Sequence, residues 1–357
     1  MYNSRPDLQV AAMAFLFLHA TASHAEAMAA KSRLQGQVLH ALTGQVIAGA
    51  QVTVGQQSTT TDARGRFDLR VDAAAGQTVL AARPGYARGV SRVDALAGST
   101  AQATLRLVPV SSVASWPNAT APVSVLVPGS SAQVALPASS LVDRSSGQLA
   151  PGAVMAQVTT LDPRTRPAAM PGSYLQSVGG STQAIESFGV IHIEAKDRAT
   201  GQPRELIPGA MAVVHIPAGQ PGAALPTTVA LSHLDESSGL WVQEGSATLR
   251  GHGASLHYEG TVSRLGYWSA TRPVDTIQVH GSVCLPENTG AVTVRTDDVG
   301  HAMAAEAPAL PNGGFHVALR AGGQATLQAQ APGQSSDPVT LGPSMVDIEL
   351  TDCLPLH

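Results

Sequence analysis

Thr61-Asp62-Ala63-Arg64-Gly65-Arg66-Phe67 is the stretch that decides the fold. Asp62 can fold its side chain back onto the backbone, Gly65 supplies a positive φ, and Phe67 begins a return strand facing inward. Apolar residues alternate on both sides of it, with Ala50, Val52 and Val54 before and Phe67, Leu69 and Val71 after. A period of two marks half-buried strands, so the stretch predicts a β-hairpin. Its meaning is architectural, not catalytic.

The same plan recurs outward from this point. Leu231 to Trp241 carries acidic and Ser residues, then Gly239, then an inward aromatic, Trp241. Near the C-terminus, Gly281-Ser282-Val283 corresponds to Gly36-Gln37-Val38, and Asn312-Gly313-Gly314-Phe315 stands in for the turn ending at Phe67. The spacing from Gly to Phe is 315 − 281 = 34 residues in one case and 67 − 36 = 31 in the other. The strands Gly76–Ala82 and Ala103–Leu107 are echoed by Gly323–Ala329 and Val346–Leu350. Two copies flanking a different middle region are an internal duplication, too few for a solenoid.

Composition agrees. Of 357 residues, 35 are Gly and 24 Pro, while charged residues make up only 13% and aromatics 4%; such a chain has many turns and few polar helical faces. The predicted fold is all-β: three consecutive antiparallel β-sandwiches, Ig-like or prealbumin-like. They span residues 33–109, 121–273 and 275–354, with a linker over 110–120. A net charge of −4 gives no reason to expect a nucleic acid as partner. Lys31 and Lys196 are the only lysines, and the Arg bias hints at a GC-rich bacterial genome.

Residues 1–27 read as a signal peptide. Arg5 precedes the apolar run Val10–Leu18, and Ser23-His24-Ala25 or Ala25-Glu26-Ala27 fits a small-residue cleavage site. No other stretch is apolar for long enough to span a bilayer, so no transmembrane anchor is expected. The protein is expected in the periplasm or outside the cell. Cys284 and Cys353, the only two cysteines, bracket the last region, and an even pair in an exported chain is expected to be bridged.

Residues 33–109 resemble a carboxypeptidase regulatory-like (prealbumin-like) domain. The resemblance rests on Gly36-Gln37-Val38, Gly49–Val54, Thr61–Phe67 and Pro84-Gly85-Tyr86. It implies an accessory sandwich without catalytic residues, because in that family the peptidase chemistry sits in a separate domain. The middle region is similar to the ectodomain sandwich of cartilage intermediate layer protein and astroprincin-type proteins. That similarity rests on Met170-Pro171-Gly172, Glu186–Ile191, Asp235–Trp241 with Glu244-Gly245, and Tyr267-Trp268. Where that family carries a His-Phe-Ser-x-Trp-Asn type of strand, this chain has Arg264-Leu265-Gly266-Tyr267-Trp268-Ser269, so the resemblance implies the sandwich and no particular binding role.

Motifs for chemistry are sparse. The sequence has no G-x-S-x-G elbow, H-E-x-x-H, P-loop or S-x-x-K, and no catalytic or cofactor-binding residue is assigned. His192 and His215 are expected on solvent faces of strands, where with Glu194 they form either a metal site or scattered surface side chains. Asp235-Glu236 and Asp297-Asp298 read as turns, with calcium the alternative. The expected function is a non-enzymatic binding or structural module at the bacterial cell envelope, its partner an unknown envelope protein or glycan. One alternative is a carbohydrate-binding or adhesin-like module with Trp241, Tyr267 and Trp268 exposed. The other is a hydrolase with an active site between domains.

Overall fold

The computed structural model describes residues 31–149, 152–218, 225–286 and 289–357. The signal peptide expected over residues 1–27 lies outside the described residues. The chain is all-β. Among the described residues the helices are two single 3-10 turns, Pro167–Ala169 and Gly253–Ser255.

In the first sandwich, strand Lys31–His40 lies between two neighbours. It pairs antiparallel with Arg66–Asp72 and parallel with Thr100–Leu107. The facing sheet runs in the order Gln57–Thr60, Gln51–Val54, Ala74–Ala82, Gly89–Ala95. Leu34, Val38, Val52, Phe67, Val79 and Leu105 fill the space between the sheets, as the alternation predicts.

The Thr61–Phe67 turn differs from the predicted hairpin. The strands on either side of it belong to opposite sheets, so the turn is a corner that carries the chain across the sandwich. Its local chemistry is as expected. Asp62 Oδ1 accepts the Arg64 and Arg66 amides, both at 2.8 Å, and Gly65 has φ 69°. Long-range contacts decide the rest: the Val38 amide donates to Gly65 O at 2.8 Å, and Phe67 pairs opposite Gly36.

The C-terminal sandwich repeats this frame. Strand Thr276–Cys284 pairs antiparallel with Gly314–Arg320, placing Gly281 opposite Phe315, and the Val283 amide donates to Gly313 O at 2.9 Å. The predicted closing strand Val346–Leu350 is replaced by two short parallel pieces, Ile348–Glu349 and Leu354–Pro355. Cys284 and Cys353 form a disulfide with Cα atoms 5.3 Å apart. Cys353 lies between the two pieces, directly before Leu354–Pro355.

The middle region is one thirteen-stranded hydrogen-bonded network. Its spine is Ser181–Asp197, a 17-residue strand buried without a break from Ala184 to Ile193. Ile191 and Ile193 face the middle core beside Val158, Val214, Ile216 and Trp268. The network folds back on itself there: a Cβ on Gly189 would collide with the Pro217 carbonyl oxygen. The segment read as a linker, residues 110–120, contains strand Ser112–Trp116, paired with Val154–Leu161. Trp116 and Ala114 pack against the core, which recruits the segment into the sheet.

The other face of the spine joins the three units. Ile185 and Val190 meet Ala87, Val90 and Val108 of the first sandwich and Ala302, Met303 and Ala304 of the third, around Trp241 and Tyr267. Backbone bonds stitch the junction: the Gly172 amide donates to Val90 O at 2.8 Å, and the Ser187 amide to Ala302 O at 3.0 Å. A shared apolar core of this kind holds domains in a fixed relation.

Candidate functional site

A cavity of about 1060 Å³ opens where the three units meet, the kind of place where ligand sites concentrate. Its walls come from strands Gly89–Ala95, Thr100–Leu107 and Ala304–Pro308. The turn Pro167–Ala169 with Met170 lines it too. Val90, Leu105, Met170 and Met303 give it an apolar lining, and Arg88, Arg92, Arg106 and Arg295 a basic one.

The four arginines are not equivalent. Arg88 pairs with Glu236 at 2.7 Å. Arg295 contacts Asp297 and Glu306, both at 2.5 Å. Burial works against its charge, but these carboxylates outweigh it and hold the guanidinium above its usual range. Among the described residues, no carboxylate lies within 4.0 Å of Arg92 or Arg106. Arg92 Nε is buried without a hydrogen-bond partner. Burial, then the neighbouring Arg295 charge, pushes Arg106 below its usual value. A guanidinium in that position gains from an incoming anion, which restores the hydrogen bonds and charge balance it lacks.

The residues singled out from the sequence lie elsewhere. His192 is buried rather than on a solvent face, because both faces of its strand are covered. Burial above all, with Arg88 and Lys196, lowers it to about 3, and its ring packs on Tyr267 at 4.2 Å. It therefore does not converge with His215. Glu194 pairs with Lys196 at 3.0 Å. His215 instead contacts Glu259 at 3.1 Å and stacks on His257. Trp241, Tyr267 and Trp268 are buried, so the exposed aromatic cluster that an adhesin-like module calls for is not at these positions. Their polar atoms are bonded internally: Trp241 Nε1 donates to Ser173 O, Tyr267 Oη to Arg88 O and Trp268 Nε1 to Arg264 O.

The acidic pairs are structural. Asp235 accepts the Ser237 amide and the hydroxyls of Ser237 and Ser238, closing its turn. Asp297 is held by Arg295. Its neighbour Asp298 is pushed up to about 7, chiefly by burial. Close by, Glu186 clamps the middle unit to the third. Burial opposes its charge, yet His301 at 2.6 Å and Arg272 at 2.7 Å hold it below the usual carboxylate range.

Sequence reasoning passed over Arg92, Arg106 and His257. The arginines sit on strands whose polar positions read as solvated, and only the assembly of three units turns them into a cavity wall. His257 carried a signal, His257-Tyr258-Glu259, which places two ligating side chains on one strand face.

Residues 33–108 match the carboxypeptidase regulatory-like domain family. That range covers the first sandwich from the third residue of strand Lys31–His40 through strand Thr100–Leu107. No curated protein matches the sequence. Among solved structures, the chain is similar to the Bacillus anthracis TIE protein at 12% identity, covering 92% of this chain and 51% of that one, with a TM-score of 0.21. The chain thus spans about half the length of that protein. A putative membrane-associated protein of unknown function from Bacteroides fragilis is similar at 11% identity, covering 68% of this chain and 97% of that one, TM-score 0.19. The major pilin subunit of Bacillus cereus follows at 10% identity, covering 92% and 99%, TM-score 0.19. With TM-scores this low, function has to be argued from the chain's own residues.

Proposed function

We propose that the protein is an exported, non-enzymatic binding module of the bacterial cell envelope, and that the three-unit cavity takes an acidic, apolar segment of a partner protein. The observation that carries this reading is the pair Arg92 and Arg106, two guanidiniums without carboxylate partners among the described residues, in a partly apolar cavity of about 1060 Å³. A peptide with carboxylates between apolar side chains satisfies both features of the lining. A glycan held by aromatic stacking is less well served, since Trp241 and Trp268 are buried in cores. The Cys284–Cys353 disulfide suits an oxidising compartment. Among the described residues no helix is long and apolar enough to cross a membrane. The family match of the first sandwich supports an accessory role.

The reading predicts binding that depends on charge at named positions. Calorimetry with a panel of synthetic peptides, acidic-apolar against neutral-apolar of equal length, gives heat only for the acidic set. Arg106→Ala weakens that binding about tenfold or more, the worth of a hydrogen bond to a charged group. Equal binding of neutral and acidic peptides, or an Arg106→Ala variant that binds like wild type, refutes the assignment.

A further inference from the structure

Away from the junction, on the outer face of the middle unit, strands Ala212–Pro217 and His257–Val262 run antiparallel. His215 stands directly opposite Glu259, and His257 is one cross-strand step away, opposite Pro217. A strand sends every second side chain to the same face, so His257 and Glu259 rise beside His215. The register makes the cluster.

The geometry is that of a ligand set. One nitrogen or oxygen from each of His215, His257 and Glu259 lies within 4.8 Å of the others, and no other such trio occurs among the described residues. His257 Nδ1 lies 2.7 Å from Ser255 O. A carbonyl can only accept, so Nδ1 carries the proton and the Nε2 lone pair is left bare. That Nε2 is buried and, among the described residues, has no hydrogen-bond partner. A backbone carbonyl fixing the tautomer of a ligating imidazole is the usual outer support of a metal site. His215 Nε2 sits 3.1 Å from the Glu259 carboxylate, and its side chain is largely covered. A cation between these groups would take the bare His257 Nε2 lone pair and a Glu259 oxygen, and would displace the proton that His215 Nε2 donates to Glu259.

We propose that His215, His257 and Glu259 form a binding site for a divalent transition-metal ion, zinc by preference. Two imidazoles and one carboxylate suit zinc, cobalt and nickel better than calcium or magnesium, which take all-oxygen shells. Three protein ligands leave a fourth position for water or for a donor from a partner. The site is independent of the arginine-lined cavity. Its ligands come from the outward face of the strands whose inward residues, Val214, Ile216 and Tyr258, belong to the middle core.

The test is a titration of the full chain, freed of metal by chelator, with Zn²⁺ by calorimetry and with Co²⁺ by absorption spectroscopy. Wild type takes up one ion per chain, and Co²⁺ shows the visible bands of a nitrogen-ligated site. His257→Ala and Glu259→Gln each lower the affinity about tenfold or more. Glu259→Gln keeps size and shape, so a fold effect is separated from a ligand effect, and unchanged circular dichroism in both variants checks it. His252→Ala, a nearby histidine outside the trio, leaves binding unaltered. No uptake by wild type overturns the proposal. So does uptake that survives both His257→Ala and Glu259→Gln, because one of the other histidines would then be the ligand.

Discussion

The first and third sandwiches are built on one frame and closed differently. In the first, Lys31–His40 and Thr100–Leu107 form an unbroken parallel ladder of eight register pairs. In the third, the equivalent ladder has two pairs, Val279 with Ile348 and His280 with Glu349, and resumes with Val283 against Leu354. Between the resumption points one strand advances 283 − 280 = 3 residues and the other 354 − 349 = 5. Two extra residues break the closing strand, and the disulfide lies at that break. The comparison teaches that the same hydrophobic frame tolerates either a continuous backbone ladder or a covalent bond at its closing edge.

The largest expected effect follows from that substitution. Closing a loop of 69 residues restricts the unfolded chain, which stabilises by about 4 kcal/mol on the chain-entropy model. Reduction, or Cys284→Ser with Cys353→Ser, should therefore destabilise the third sandwich by about that much. Hydrogen exchange resolved by segment checks it: amides of Gly314–Arg320 lose protection while those of Arg66–Asp72 keep theirs. Equal loss in both would mean that the shared junction core, not the edge, sets the stability of each unit.

A smaller effect separates the paired glycines. A Cβ on Gly36 falls on the Ala103 carbonyl oxygen, which belongs to the unbroken ladder, and also meets the Phe67 ring at 2.7 Å. The atoms nearest a Cβ on Gly281 belong to side chains, the Phe315 ring at 2.8 Å and Leu350 Cβ at 3.2 Å. Side chains can shift where a laddered carbonyl cannot. Gly36→Ala should cost about 3 kcal/mol and Gly281→Ala about 1 kcal/mol by denaturant unfolding, within the range for overpacked sites. Similar costs for the two would show that the closing strand of the third sandwich is as rigid as that of the first.

The smallest effect is a difference in acid response between the two corner turns. The Arg66 amide first, then that of Arg64, holds the Asp62 carboxyl below its usual range. A depressed carboxylate contributes in full above its unfolded value, and the contribution is lost as pH falls through the lower folded value. Asn312 plays the matching part, accepting the Gly314 amide at 3.0 Å, and does not titrate. In an NMR pH titration the Arg64 and Arg66 amides should shift together below the ordinary aspartate range, while Gly314 stays still. A Gly314 shift with the same midpoint would break the equivalence of the turns.

Much of the frame was legible in the sequence because it rests on local rules. Asp62, Gly65 and Phe67 read the same way in the chain as in the structure, and the Gly36–Phe67 and Gly281–Phe315 pairs follow from spacing. Whether the turn joins two strands of one sheet or crosses between sheets was not legible, since Asp62 and Gly65 satisfy only nearby backbone in either case. His192 misled for a related reason. Alternation implies one wet face, but Ile185, Phe188, Val190, Ile191 and Ile193 fill both faces of a central strand, and such a run signals two-sided burial. The candidate sites were the least legible part. Arg92 and Arg106 line a cavity only once the other units pack against the first sandwich, and His215 meets His257 and Glu259 only through a register that no single strand encodes.

The disulfide has a mechanical consequence. Tension passed along the chain from the middle unit into the third reaches Cys284 and leaves again at Cys353 through a covalent link. The residues between them are bypassed, so roughly 230 Å of extended chain, at ~3.4 Å per residue, cannot be paid out as slack. Under load the third sandwich keeps its contour length fixed, whereas the first would yield only by shearing its eight-pair ladder at once.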